Sequence, residues 1–194
     1  MKKRVLSVLL AIVMVVGMFP VTAGALPAPH THPVCGATHS DIGNHTGACG
    51  DITWTAWDGT GTPSGNVYLT DNVTLTESLI ISSGTVNLCL NGKVLRISEN
   101  AIIGAVIEVS EGATLNICDC RTTEHKFSPD ESGLWVLDEE NGTKSVSGGV
   151  ITGGNTTIGS AINSNGTLRI YGGNIVGNHA ISRAVVYSTG AEFS

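Results

Sequence analysis

Six side chains able to hold a metal or form a disulfide crowd into twenty residues near the start of the chain: His30, His32, Cys35, His39, His45 and Cys49. Zinc takes four such ligands, and Cys35 and Cys49 with His32 and His45 have suitable chemistry. The Cys-x13-Cys spacing lacks the close Cys-x-x-Cys pair typical of zinc sites, and in an exported chain a Cys35–Cys49 disulfide is the simpler use of the same thiols. Free thiols in a linker are the third reading. Two further cysteines, Cys89 in Asn-Leu-Cys and Cys118 in Asn-Ile-Cys, occupy matching places in successive copies of a repeat, which makes them a second disulfide candidate if the copies stack. Cys120 then has no obvious partner.

A different chemistry is offered by Trp135 and the carboxylates Asp138, Glu139 and Glu140. An aromatic ring in a loop can stack on a sugar, and a group of carboxylates can hold Ca²⁺, although no EF-hand pattern surrounds these and such a run also suits a solvated turn. Trp54 and Trp57 could stack on sugars as well; two tryptophans just before a repeat array more simply bury against its open end as a cap. No Ser-His-Asp order, phosphate-cradling glycine loop or helix-borne metal motif is present, and the acidic residues Asp71, Glu77, Glu99, Glu108, Glu111 and Glu192 do not recur on one wall. The chain therefore reads as more plausibly non-enzymatic, with no catalytic residue to name.

The elements that position these residues begin after residue 25. Lys2, Lys3 and Arg4, the apolar run from Val5 to Val16, and Ala23-Gly24-Ala25 have the order of a signal peptide, and Gly17 and Pro20 interrupt the run before it reaches the roughly 20 residues of a membrane span. Removing residues 1–25 takes three of the ten basic residues, so 16 acidic side chains then outweigh seven basic ones by nine. That balance, without a basic cluster, argues against nucleic acid and anionic lipid as partners. The expected location is secreted or cell-surface, with no membrane span in the mature segment. Residues 26–63 form a Cys/His-containing segment and cap, and residues 64–194 the repeats.

The repeats are spelled in glycine and β-branched residues. Gly84-Thr85-Val86-Asn87-Leu88-Cys89-Leu90 returns as Gly112-Ala113-Thr114-Leu115-Asn116-Ile117-Cys118 and as Gly166-Thr167-Leu168-Arg169-Ile170-Tyr171, and Gly190 opens a fourth copy. Gly148-Gly149-Val150-Ile151-Thr152-Gly153-Gly154-Asn155 returns as Gly172-Gly173-Asn174-Ile175-Val176-Gly177-Asn178, and Ala-Ile or Ala-Val runs end at Gly112, Gly166 and Gly190. Three short strands at a 24-residue step fit a triangular coil whose turns stack at about 4.8 Å. Alternation sends Val86, Leu88, Leu90, Leu115, Ile117, Leu168 and Ile170 inward and Asn87, Asn116 and Arg169 outward. Glycine at the corners supplies positive φ, and Asn155, Asn165 and Asn178 suit the same conformation. A β-sandwich of short strands is the competing architecture. From Gly112 to Gly166 the step is 54 residues, which places an insertion of about 30 residues at one corner, roughly 119–147, with Asn141-Gly142 as a hairpin turn between 134–137 and 143–146.

The stretch from Gly65 to Ser194, with its Gly-Gly-Xaa-Ile-Xaa-Gly-Asn motifs, resembles the right-handed parallel β-helix repeats of large secreted bacterial surface proteins and, more distantly, the pectin-lyase-like superfamily. The resemblance implies an all-β, right-handed parallel β-helix solenoid of about four to five coils, with an N-terminal cap and a truncated C-terminal end. It also implies a scaffold or adhesin-like role that contacts glycans or a host or neighbouring cell surface. The alternative is the N-terminal part of a polysaccharide lyase or glycoside hydrolase whose active site lies beyond residue 194.

Overall fold

A computed structural model describes residues 29–34, 50–99, 104–156, 160–182 and 184–189. Among them there is no helix; every regular element is a strand, and most pair in parallel. The arrangement fits a β-solenoid rather than a sandwich, because sandwiches are built from antiparallel strands and Greek-key connections.

Three parallel sheets form the walls. The first stacks Thr55–Trp57, Gly65–Leu69, Thr85–Cys89, Thr114–Cys118 and Thr167–Ile170. The second stacks Val73–Leu75, Val94–Ile97, Val150–Thr152 and Asn174–Ile175, and the third stacks Leu79–Ile81, Ile107–Val109, Ile162–Ser164 and Val186–Ser188. Successive strands of one chain pass belong to successive walls, so each sheet is built only by stacking one pass on the next.

The register follows the glycine repeat. Val86 pairs with Leu115 and Leu115 with Leu168, while Asn87 pairs with Asn116 and Asn116 with Arg169. Val150 pairs with Asn174 and Ile162 with Val186, each 24 residues on. Alternation then decides what is buried. Val86, Leu88, Leu115 and Leu168 from the first wall meet Leu95, Ile97 and Ile151 from the second and Ile81, Ile107 and Ile162 from the third in one apolar core. On the outer face Asn116 donates to Asn87 at 2.6 Å and Asn87 to Asn66 at 2.7 Å, a ladder of amides that parallel pairing has brought into line.

Two sequence expectations require correction here. Asn155, Asn165 and Asn178 do not adopt the left-handed conformation; among described non-glycine residues only Asn91 has positive φ, at 51°. Asn178 spends its amide across the rungs, donating to the carbonyls of Ile151 and Val176 and accepting from Gly154 N–H at 2.9 Å. Second, the strands either side of Asn141-Gly142 do not pair with each other. Trp135–Leu137 and Lys144–Ser147 both pair antiparallel with Glu124–Pro129, which is the central strand of a three-stranded sheet lying between Cys118 and Val150. The reason is Phe127: it is 2% exposed and packs on Val94 and Val150 of the second wall, so its own strand is the one held against the coil.

Among the described residues no helix is long and apolar enough to cross a membrane.

Candidate functional site

The three-stranded insertion overhangs the outer face of the second wall. Phe127 covers Val94 and Val150 at one end of that face, and beyond it the row Thr74, Arg96 and Thr152 is left as the floor of a cleft of about 920 Å³. Trp135 and Val136 from the insertion form its lip, each 41% exposed, and Asn155, Asn178 and His179 from later rungs continue the floor.

Close backbone approach fixes the lip. A Cβ on Gly177, at φ +67°, would stand 2.6 Å from Thr152 Oγ1 and 2.9 Å from the Trp135 carbonyl, so only glycine lets the Trp135 strand lie down on the coil. Asp130 shapes the preceding loop: its Oδ1 accepts from the N–H groups of Ser132 at 2.8 Å and Leu134 at 2.9 Å. On the floor Arg96 Nε donates to Thr74 Oγ1 at 2.9 Å, and Thr152 Oγ1 donates to the Gly177 carbonyl at 3.2 Å. The cleft therefore combines an aromatic edge with a guanidinium, hydroxyls, amides and an imidazole already placed by rung-to-rung contacts.

Of the carboxylates singled out with Trp135, none lines the cleft. Asp138 Oδ1 accepts from Asn141 N–H at 2.9 Å and shapes the turn, while Glu139 accepts from the Lys126 N–H at 3.2 Å and pairs with His125 Nδ1 at 2.7 Å. His125 is 4% exposed, and its Nε2 donates to the Gly92 carbonyl at 3.0 Å, which ties the insertion back to the coil. Glu140 is exposed. Arg96, Asn155 and His179 were not legible as a site, because no periodicity places an insertion loop opposite a particular wall.

The N-terminal segment occupies a second surface, the outer face of the first wall. Thr31–His32 pairs antiparallel with Ile52–Thr53, and this ribbon, with Val34 and Trp54, covers Cys89 and Cys118 so completely that both are 0% exposed. Trp57 packs in the main core, whereas Trp54 lies against the side wall and donates its indole N–H to the His32 carbonyl at 2.9 Å. Both tryptophans thus serve packing, and Trp135 alone among the three is open.

Cys89 and Cys118 are aligned on neighbouring strands as their sequence places imply, yet they are free thiols, as is Cys120. In-register parallel neighbours sit about 4.8 Å apart, wider than the roughly 3.5–4.5 Å between Cβ atoms that a disulfide takes, so alignment alone does not join them. The sulfur beside Cys89 is that of Cys120, at 3.5 Å. A hydrogen bond with Cys118 and burial hold the Cys89 thiol well above its ordinary range; the bond to Cys89 and burial do the same for Cys120. His32 stands at this wall, while Cys35, His45 and Cys49 lie outside the described residues.

Compared with protein-family models, curated proteins and solved structures, the chain has no match.

Proposed function

We propose that this chain is a non-catalytic extracellular scaffold of the right-handed parallel β-helix kind, which contacts glycans through the cleft beneath its corner insertion. The observation that carries the reading is Trp135: a large aromatic side chain, 41% exposed, stands on the lip of a polar cleft of about 920 Å³, within the size range of small-ligand sites. A sugar offers an apolar C–H face and a rim of hydroxyls, and the cleft offers an indole with Arg96, Asn155 and His179 opposite. The basic N-terminal run followed by apolar residues supports export, and the resemblance to surface-protein repeats supports display.

Binding rather than bond cleavage is favoured by the acidic inventory. Glycosidases use two carboxyl groups facing the scissile bond. The acidic residues lining this cleft are Glu99 and Asp130, and Asp130 already accepts two backbone hydrogen bonds that hold its own loop.

A glycan array followed by calorimetry on the best ligand tests the proposal. Trp135→Ala is expected to weaken binding about tenfold or more, the cost of truncating one buried aromatic anchor, with far-UV circular dichroism unchanged. Absence of binding to every glycan, or release of reducing or unsaturated sugar ends by this chain, would overturn it.

A further inference from the structure

Outside the cleft, the N-terminal ribbon and the first wall bring together four side chains of one chemistry. His30, His32, Cys89 and Cys120 each present one donor atom, and the four atoms lie within 4.8 Å of one another. We propose that these four residues form a tetrahedral zinc site that clamps the N-terminal ribbon onto the coil.

The distances carry the assignment. Zn–N bonds of about 2.0–2.1 Å and Zn–S bonds of about 2.3 Å, arranged tetrahedrally, imply edges of about 3.3 Å between nitrogens, 3.6 Å between nitrogen and sulfur, and 3.8 Å between sulfurs. The corresponding separations here are 3.1 Å for His30 Nε2 to His32 Nε2, 3.5 Å for His30 Nε2 to Cys120 Sγ, and 3.5 Å for Cys89 Sγ to Cys120 Sγ. Two imidazoles and two thiols suit zinc better than calcium or magnesium, which take oxygen ligands.

The surrounding groups orient the ligands. His32 Nδ1 donates to the Pro33 carbonyl at 2.7 Å, which leaves its Nε2 lone pair for the metal and repeats the usual outer-shell arrangement of zinc histidines. The His30 ring is stacked on Tyr68, centroids 4.0 Å apart and 6° from parallel, and the His32 ring is stacked on Trp54 at 4.5 Å. Cys120 is set by its neighbour: Asp119 Oδ1 accepts from Cys120 N–H at 3.0 Å and from Gly92 N–H at 2.7 Å. Cys89 is fixed within a strand of the first wall. On binding, each thiol gives up its proton to solvent and the two thiolates balance the charge of Zn²⁺.

The experiment is metal analysis of the purified full-length protein by plasma mass spectrometry, with Zn²⁺ supplied during expression. One zinc per chain is expected, retained in a Cys35→Ser, Cys49→Ser double variant and lost in a His30→Ala, Cys120→Ser double variant whose circular dichroism matches the parent. Co²⁺ added to the reduced, metal-stripped protein should give the visible bands and thiolate charge-transfer absorption of a tetrahedral site, absent from a His30→Ala single variant. Zinc that stays in the His30→Ala, Cys120→Ser variant, a reduced parent that takes up neither metal, or a Cys89–Cys120 disulfide found in non-reduced digests would each overturn the assignment.

Discussion

Gly112 and Gly166 occupy the same place in the repeat and need glycine for different reasons. Gly112 has φ +78° with open space where a Cβ would stand, so its requirement is conformational. At Gly166 a Cβ would meet the Ser110 and Ala113 carbonyl oxygens at 2.3 and 2.4 Å, so the requirement is room between rungs. Gly112→Ala is therefore expected to cost about 1–2 kcal/mol, the usual penalty for an L-residue in the left-handed region. Gly166→Ala should cost more, about 3 kcal/mol, because backbone on the adjacent rung must move. Urea midpoints of the two variants compare them, and equal losses would show that the rung contact is not as close as described. Asp119 has more than one duty: besides Gly92 and Cys120 its carboxylate accepts from Gly149 N–H at 2.5 Å. Asp119→Ala leaves three N–H groups without their acceptor and should lower stability by about 3 kcal/mol or more, since hydrogen bonds to a charged group contribute about 1.5–3 kcal/mol each.

At the scale of elements, the insertion behaves as a small sheet fastened to the coil by Phe127 in the groove over Val94 and Val150, by His125 between Glu139 and the Gly92 carbonyl, and by the Trp135 backbone against Gly177. Phe127→Ala is expected to remove about 3–4 kcal/mol of packing, within the range for large aromatic truncations in buried sites. Because the coil core is a separate cluster, the loss should appear as faster amide exchange in residues 124–147 with the three walls still protected. Uniform loss of protection would show that insertion and coil unfold as one unit. The excess length at this corner was readable from the repeat step, but the hairpin read at Asn141-Gly142 is not there: the strands on either side of it run in the same direction, and the tight reversal falls at Asp130–Leu134. Strand pairing within the insertion was not readable either, since a local turn signal does not say which neighbouring strand offers the better hydrophobic face. The repeat strands themselves were legible down to partner residues, as Leu115 beside Val86 and Leu168 shows, because parallel stacking forces like positions into line.

For the whole molecule, alternation predicted the interior correctly and misjudged part of the exterior. Cys89 and Cys118 stand two places on from Asn87 and Asn116, on the outward-facing side of the wall, yet both are buried, because a segment with no repeat of its own lies over them. Contacts such as His30 with Cys120 join residues 90 apart in sequence, and neither composition nor periodicity reports them. If zinc joins the two, chelation with excess EDTA should lower the thermal midpoint and open the Trp54 environment to a fluorescence quencher, whereas EDTA should leave a His30→Ala, Cys120→Ser variant unchanged. An unaltered parent midpoint would detach the ribbon's stability from metal.

The covering of the first wall also sets an order of events in time. The ribbon at 30–34 leaves the ribosome early, but the surface it covers includes Tyr68, Cys89, Cys118, Cys120 and Tyr171. Synthesis proceeds at about 5–20 residues per second, so the earliest described segment waits several seconds for its docking surface to exist. The ribbon is thus made before the surface that it covers and settles after it, and during that interval His30, His32 and Trp54 are exposed to whatever chaperone, metal or oxidant they meet.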